Sequence, residues 1–373
     1  MTSIEEFAAG FDEEPGYLDF ARVGPVSAGV VAEEQANARL LQVSRFGSID
    51  RLMDQDGRMR DAVAAVTGFR SDQIVFQPNT SSGLMHVMFG LSGTVALCRS
   101  EFPSMTFAVE RAAAALGEIK AAWLEPDYGR LTPSAIRDQL DDDVAAVGLS
   151  LVDFRTGYLA DIEGIRQVIG DRLLIVDAIQ GFGVVDAPYQ VADVVVSGGH
   201  KWARAGWGTG FLALSDRAAE RLVPVFSGYS GAGDGLPLDE VLPPNRGASA
   251  FQVSHADPIA QSRFSVALEE IAGVGVTAIR DRIAEGTGLV IELADEFGIP
   301  VTSSRDAAER AGIVVLTPEP DRLTSLTAAL YNHGVTVTTR QGSVRVSVHA
   351  STVAETFEML RASFVGYASA ITV

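Results

Sequence analysis

Two residues of this chain are placed where they could carry out chemistry together. Lysine occurs only at Lys120 and Lys201, and the other twenty-seven of the twenty-nine basic residues are arginine. A chain that writes nearly every cation as Arg keeps Lys by chance, or where Arg cannot serve. Schiff-base formation is such a place, because it needs a primary amine that can lose its proton, and a guanidinium stays charged. Lys201 follows an apolar run in Val196-Ser197-Gly198-Gly199-His200-Lys201-Trp202 and is the candidate carbonyl-condensing amine. Scarcity alone leaves a surface lysine without a role as the alternative. The second placement is Asp177 in Leu174-Ile175-Val176-Asp177-Ala178-Ile179-Gln180. An apolar strand ending in Asp sets a carboxylate at the carboxyl edge of a parallel sheet, where such folds bind ligands. Its ordinary role is a helix cap. The 24 residues from Asp177 to Lys201 are enough for one crossover to a neighbouring strand.

An Asp and a Lys on adjacent strand ends are what pyridoxal 5'-phosphate needs. The amine condenses with the cofactor's aldehyde. The carboxylate keeps the ring nitrogen protonated, so that the ring accepts electrons from a substrate carbanion. The phosphate needs amides at a helix N-terminus. Gln77-Pro78-Asn79-Thr80-Ser81-Ser82-Gly83 offers a strand end, hydroxyl groups and a helix start. A plain N-cap explains those hydroxyls nearly as well.

These groups need a scaffold, and the rest of the chain supplies one. Short apolar runs at 72–77, 94–99, 118–124, 144–152, 173–176, 193–196 and 210–214 read as buried strands. Several lack polar alternation, as strands covered on both faces do. Helical periodicity lies between them, at 108–116 and 161–169. The alternation implies a mostly parallel central sheet covered by helices, an α/β fold. From 227 to 245 the chain is rich in Gly and Pro and reads as loop. Beyond Asp257-Pro258 a helical region runs to about 297, broken near 273–275. Strands at 313–316, 335–339 and 343–348, with helices at 321–332 and 352–364, give a smaller α+β C-terminal domain. The expected division is a large domain over 15–245 and a small one over 246–373, with 1–14 as an arm packing near the small domain.

Composition excludes several functions. The net charge is −19 and the acids are spread along the 373 residues. Such a field repels phosphate backbones and anionic membranes, so no nucleic-acid partner is expected. No apolar run reaches the roughly 18 residues of a membrane span, and the first residues do not resemble a signal peptide, so the expected location is cytoplasmic. The single cysteine, Cys98, rules out an intrachain disulfide or a multi-cysteine metal site, and the five histidines show no ligand spacing, so no metal is expected. Gly273-Val274-Gly275 follows no strand, which argues against a dinucleotide-binding fold. A non-catalytic ligand-binding protein is the alternative from a different class.

Five strings in order carry a family likeness: Asn79-Thr80-Ser81-Ser82-Gly83, Glu101-Phe102-Pro103-Ser104, Thr156-Gly157, Val176-Asp177-Ala178-Ile179-Gln180 and Gly199-His200-Lys201-Trp202. With Tyr17-Leu18-Asp19-Phe20-Ala21 and Arg345-Val346-Ser347-Val348-His349 they cover most of the chain. The sequence resembles the class V aminotransferase family, pyridoxal-phosphate enzymes of fold type I that include cysteine desulfurases, kynureninases and isopenicillin N epimerase-like proteins. The resemblance implies that Lys201 carries the cofactor and moves the α-proton, and that Asp177 pairs with the ring nitrogen. Gln180 would lie near the ring's phenolic oxygen and Phe102 would stack on the ring. Thr80, Ser81, His200 and Ser197 would serve the phosphate, although the desulfurase pattern has its serine at the position of Gly198. Arg345 would grip the substrate's α-carboxylate, with Arg340 as a second anion contact. A surface ion pair is the alternative for Arg345. Ser254-His255-Ala256-Asp257 departs from the relatives' Gly-Thr-x-Asn.

The resemblance also implies a homodimer and a small-molecule amino-acid substrate. The expected reaction runs through a Schiff base and a Cα carbanion, with transamination as the first expectation. A C–S or C–C lyase and an epimerase are the alternatives. Cys98 lies in an early strand and Phe102 replaces the desulfurases' histidine, and both argue against persulfide chemistry.

Overall fold

The computed structural model describes residues 2–233 and 239–371. Seven strands form the central sheet: β1 (Ile74–Phe76), β2 (Gly93–Cys98), β3 (Ile119–Leu124), β4 (Val144–Ser150), β5 (Leu173–Asp177), β6 (Val194–Gly198) and β7 (Gly210–Leu214). Their order is β1-β7-β6-β5-β4-β2-β3, and β7 alone runs against the others. All seven strand expectations are met. β5, β6 and β7 are buried at every residue, which is why they read as continuous apolar runs rather than alternating ones.

Helices cover both faces. On one, helices Thr80–Gly90 and Pro103–Leu116 pack Leu84, Val87, Met105 and Val109 onto Val95, Ile175 and Val196. On the other, Val176, Val195 and Phe211 meet Met59, Ile165 and Phe264 from surrounding helices. A second sheet, β8 (Ile313–Leu316), β9 (Thr338–Arg340) and β10 (Ser343–Ser347), is antiparallel in the order β8-β10-β9. It is backed by helices Leu323–Asn332 and Ala354–Ile371, with Leu326, Leu330, Leu360 and Phe364 in its core.

The second unit begins later in space than the expected division at 246. Helix Pro258–Val274 buries Phe264, Leu268 and Ile271 in the large unit's core. The next helix, Val276–Glu296, passes between cores: Ile279 and Ile283 belong to the first, Val290 and Leu293 to the second. Chain composition marks loops, but burial decides which core a helix serves. Near the start, Phe11 meets His349 edge-on with ring centroids 5.7 Å apart, and Glu13 pairs with Arg204. Of the glycine-rich loop, 234–238 lie outside the described residues. No helix among the described residues is long and apolar enough to cross a membrane.

Candidate active site

β5, β6 and the turn after β2 end together at one edge of the central sheet. Asp177 closes β5 and is 1% exposed. Its Oδ1 accepts from the Ile179 N–H at 3.0 Å, while its Oδ2 is buried without a partner. An unmatched buried acceptor costs about 1–3 kcal/mol, so this atom is built for a donor that a ligand brings. Burial pushes the carboxyl up to about 6, opposed by the Ile179 hydrogen bond and by Lys201.

Lys201 stands three residues past β6, whose last strand residue is paired with Gly210 of β7. It is 8% exposed. Burial brings its ammonium down to about 8; Asp177 opposes the shift, and Arg345 and Arg340 add to it. A neutral amine is therefore within reach near neutral pH. Lys120 differs in every respect, being exposed and paired with Asp143 at 3.0 Å.

The Phe102 ring lies 5.4 Å from the Lys201 amine, measured to its centroid, and heads helix Pro103–Leu116. Phe154 meets it edge-on at 5.2 Å. Together they form an aromatic wall beside the amine.

At the other side, helix Thr80–Gly90 points its N-terminus at the end of β6. Gly83 permits this approach, since a Cβ there would lie 2.5 Å from Val196 Cγ1. A Cβ on Gly198 would lie 3.3 Å from Thr80 Oγ1 and 3.2 Å from His200 Nδ1. Hydroxyl and imidazole thus converge over a bare glycine. Thr80 Oγ1 is a second buried polar atom without a partner. Burial, and then Lys201, hold His200 down to about 4, so at pH 7 its ring is neutral and can donate one N–H. Ser81 Oγ lies 2.6 Å from Ser104 Oγ at the exposed rim.

Two expected contacts have other partners in this structure. Val196 faces Gly83, so strand alternation turns Ser197 to the opposite face, where its hydroxyl donates to Gly198 O at 3.0 Å. The departure at Gly198 is not made good by its neighbour. Gln180 is buried, but its amide donates to Ala21 O at 3.0 Å and accepts from Trp202 Nε1 at 2.8 Å. It braces the lysine turn against the N-terminal segment.

The second unit brings Arg345. Val344 and Val346 fill that unit's core, so alternation along β10 sends Arg345 toward the large unit. It donates to Phe154 O at 3.2 Å and to Thr338 Oγ1 at 3.4 Å, and it lies 3.8 Å from Asp19. Its Nε is buried without a partner. Burial, then Arg340, lower its guanidinium to about 10. Arg340 reaches the same space, with its guanidinium carbon 5.6 Å from the Phe154 ring centroid.

Glu101 and Asp19 stand in the sequence motifs without a role, and Phe154 lies just ahead of Thr156-Gly157. Glu101 accepts from the Ser150 N–H at 3.1 Å, and Ser150 is the register partner of Asp177. Burial pushes its carboxyl up to about 7, with Asp153 and Asp177 adding to the shift against the Ser150 bonds. The available signal was a Glu one residue before Phe102, just past a strand end.

The residues present fit pyridoxal 5'-phosphate. Asp177 Oδ2 awaits a ring N–H, Thr80 Oγ1 and the helix N-terminus await phosphate, and Lys201 holds a condensable amine between them. Comparisons with known proteins agree. The family model for class-V aminotransferases matches residues 42–373. The chain is 26% identical to a kynureninase of Deinococcus radiodurans over 222 residues, 57% of this chain and 52% of that protein. It is 30% identical to a probable hercynylcysteine sulfoxide lyase of Mycobacterium tuberculosis over 270 residues, 69% of this chain and 63% of that protein. The chain therefore spans between half and two-thirds of these two relatives' length. Among solved structures, a cysteine desulfurase from Thermococcus onnurineus superposes with a TM-score of 0.83 at 20% identity, covering 93% of both chains. A cystine C–S lyase with its product cysteine persulfide gives 0.85 at 19% identity, covering 94% of this chain and 97% of that one. These likenesses show the fold, pyridoxal-phosphate fold type I.

Proposed function

Since this chain belongs to the class-V aminotransferase family, whose cofactor is pyridoxal 5'-phosphate, we propose that it is a lyase that cleaves a Cβ–S bond of an amino acid. The observation that carries this reading is the aromatic wall. Phe102 lies 5.4 Å from the Lys201 amine and Phe154 packs edge-on against Phe102, so these two rings beside the amine offer no proton to a leaving group. A thiol ionises near pH 8.5, so sulfur departs as an anion without an acid to help it. The bound cofactor supplies the electron sink. Lys201 takes the proton from Cα, Arg345 orients the α-carboxylate, and the aromatic rings keep water from the amine. In the net reaction a sulfur-substituted amino acid and water give a thiol, a 2-oxo acid and ammonium, with no change in oxidation state overall.

Relatives of both lyase kinds support the choice, a kynureninase and a probable sulfoxide lyase. Cys98, the chain's one thiol, is buried at the end of β2 with its Sγ 2.8 Å from Ser100 Oγ, and it cannot swing out to receive sulfur as a persulfide. Transamination, the first expectation from the sequence, begins with the same proton transfer. One experiment separates them: supply the holoenzyme with cysteine S-conjugates and follow both 2-oxo acid and the cofactor's absorption. Release of 2-oxo acid with the cofactor band retained supports the lyase. Stoichiometric conversion of the cofactor to its amine form establishes transamination instead, and racemisation with solvent hydrogen exchange establishes an epimerase.

A dimer is part of the same proposal, as is a place among soluble proteins. A mass measurement in solution that gave a monomer at working concentration would remove the first.

A further inference from the structure

The mouth of the site holds more positive charge than the fold needs. Three guanidinium groups gather there: Arg22 and Arg345 share the Asp19 carboxylate, and Arg340 lies close enough to Arg345 to act on its charge. Asp19 lies 3.9 Å from Arg22 and 3.8 Å from Arg345. Arg340 has no carboxylate at ion-pair distance among the described residues, and its guanidinium lies against the Phe154 ring. The acids on the facing side are engaged. Asp153 accepts the Arg155 and Thr156 N–H groups of its own turn, Glu101 is bonded to Ser150, and Asp177 faces the cofactor end. Two of the three positive charges are therefore left unmatched, in a chain whose net charge is −19. Like charges set together without counter-ions destabilise a fold and mark a place where a ligand supplies the anions.

The two arginines stand at different depths. Arg345 is buried and fixed to Phe154 O, and it keeps one N–H free. Arg340 is exposed at the tip of a tight hairpin, where Gln341 at φ 31° and Gly342 at φ 90° turn the chain from β9 into β10. The contacts run outward from Lys201 to Phe102, from Phe102 to Phe154, and from Phe154 to Arg340. With two aromatic rings between the amine and Arg340, this order suits a group on the substrate's side chain rather than one on Cα.

We propose that Arg340 is a specificity residue that binds a second anionic group, a carboxylate carried on the substrate's side chain, while Arg345 holds the α-carboxylate. This rests on the lyase reading, and it places the second anion on the fragment that leaves with sulfur. The alternative source of the same charge pattern is a general attraction for any small anion.

Non-reacting acids test the assignment without turnover. The holoenzyme is titrated with propionate and with glutarate, following the absorption of the lysine-bound cofactor. Glutarate should bind about 10–100-fold more tightly than propionate, the range of one charge-assisted contact. Arg340→Gln should erase that difference and leave propionate binding as it was, Arg340→Lys should restore part of it, and Arg345→Gln should weaken both acids. Equal binding of the two acids by the unaltered protein overturns the proposal. So does an Arg340→Gln variant that loses propionate and glutarate in equal measure, because Arg340 would then hold the α-carboxylate or act only as a field. The outcome is independent of the product assay. A transaminase result there with the glutarate preference intact removes the lyase reading alone.

Discussion

At the cofactor end of the cleft, Asp177, Lys201, Thr80 and His200 all stand at strand ends or a helix start of one seven-stranded sheet. At the substrate end, Arg345 and Arg340 come from a separate three-stranded sheet and meet Phe154 across the junction of the two units. The first set is positioned by local structure, since Asp177 closes a strand and Thr80 opens a helix capped by Asn79. The second depends on how two cores pack. Chemistry common to a family can be written into short motifs at the first end, whereas substrate choice can drift at the second by changing one hairpin. A change at Lys201 should therefore abolish function, and a change at the substrate end should redirect or weaken it.

The largest expected effect sharpens that contrast. Lys201→Ala removes both the attachment point and the proton carrier, and turnover should fall by at least about 10³-fold with no reducible cofactor bond left. Lys120→Ala, exposed and remote, should change neither. Asp177→Asn comes next, with cofactor affinity expected to fall about 10–100-fold by equilibrium dialysis. The same variant separates function from stability. The folded pKa of Asp177 is raised from 3.8 to about 6, so in the cofactor-free protein its contribution is fully present below pH 3.8 and is lost as pH rises through 6. Above pH 6 the cofactor-free Asn variant should then be more stable than the parent in denaturant unfolding, by on the order of 1–3 kcal/mol. A less stable variant would mean that Asp177 is structural.

Lys201 gives a pH signature of its own. Its pKa is lowered to about 8, so capture of cofactor by the empty protein should speed up as pH rises through 8 and then level off. A rise centred near 10.5 would show an unburied amine. At the substrate end, Arg345→Lys keeps the charge but loses the fork, and should raise KM about tenfold with a smaller change in kcat. Among cofactor contacts, Thr80→Val should weaken affinity only severalfold, the worth of one hydrogen bond. Ser197→Ala should leave affinity unchanged, because its hydroxyl faces away from the phosphate end.

Much of this was readable from residues alone. Val176-Asp177 and Gly199-His200-Lys201 announce strand ends carrying chemistry, and the break at Gly275 ends one helix and starts another. What escaped reading depends on packing. No pattern in Ser197 says which face of β6 it takes until Val196 is seen against Gly83. Gln180 reads as a ring contact, and its bonds to Ala21 and Trp202, from distant parts of the chain, are not foreshadowed by its motif. The assignment of helix Pro258–Val274 to the large core follows from where Phe264 and Leu268 are buried, which composition does not encode.

The central claim is that one buried amine, at Lys201, holds the cofactor beside the Asp177 carboxylate. Borohydride reduction of the holoenzyme followed by peptide mass mapping tests it most directly. A pyridoxyl-phosphate mass on the peptide containing Lys201, absent from the Lys120 peptide, is the expected result. Labelling of Lys120, or retention of the coloured cofactor with neither lysine modified, would contradict it.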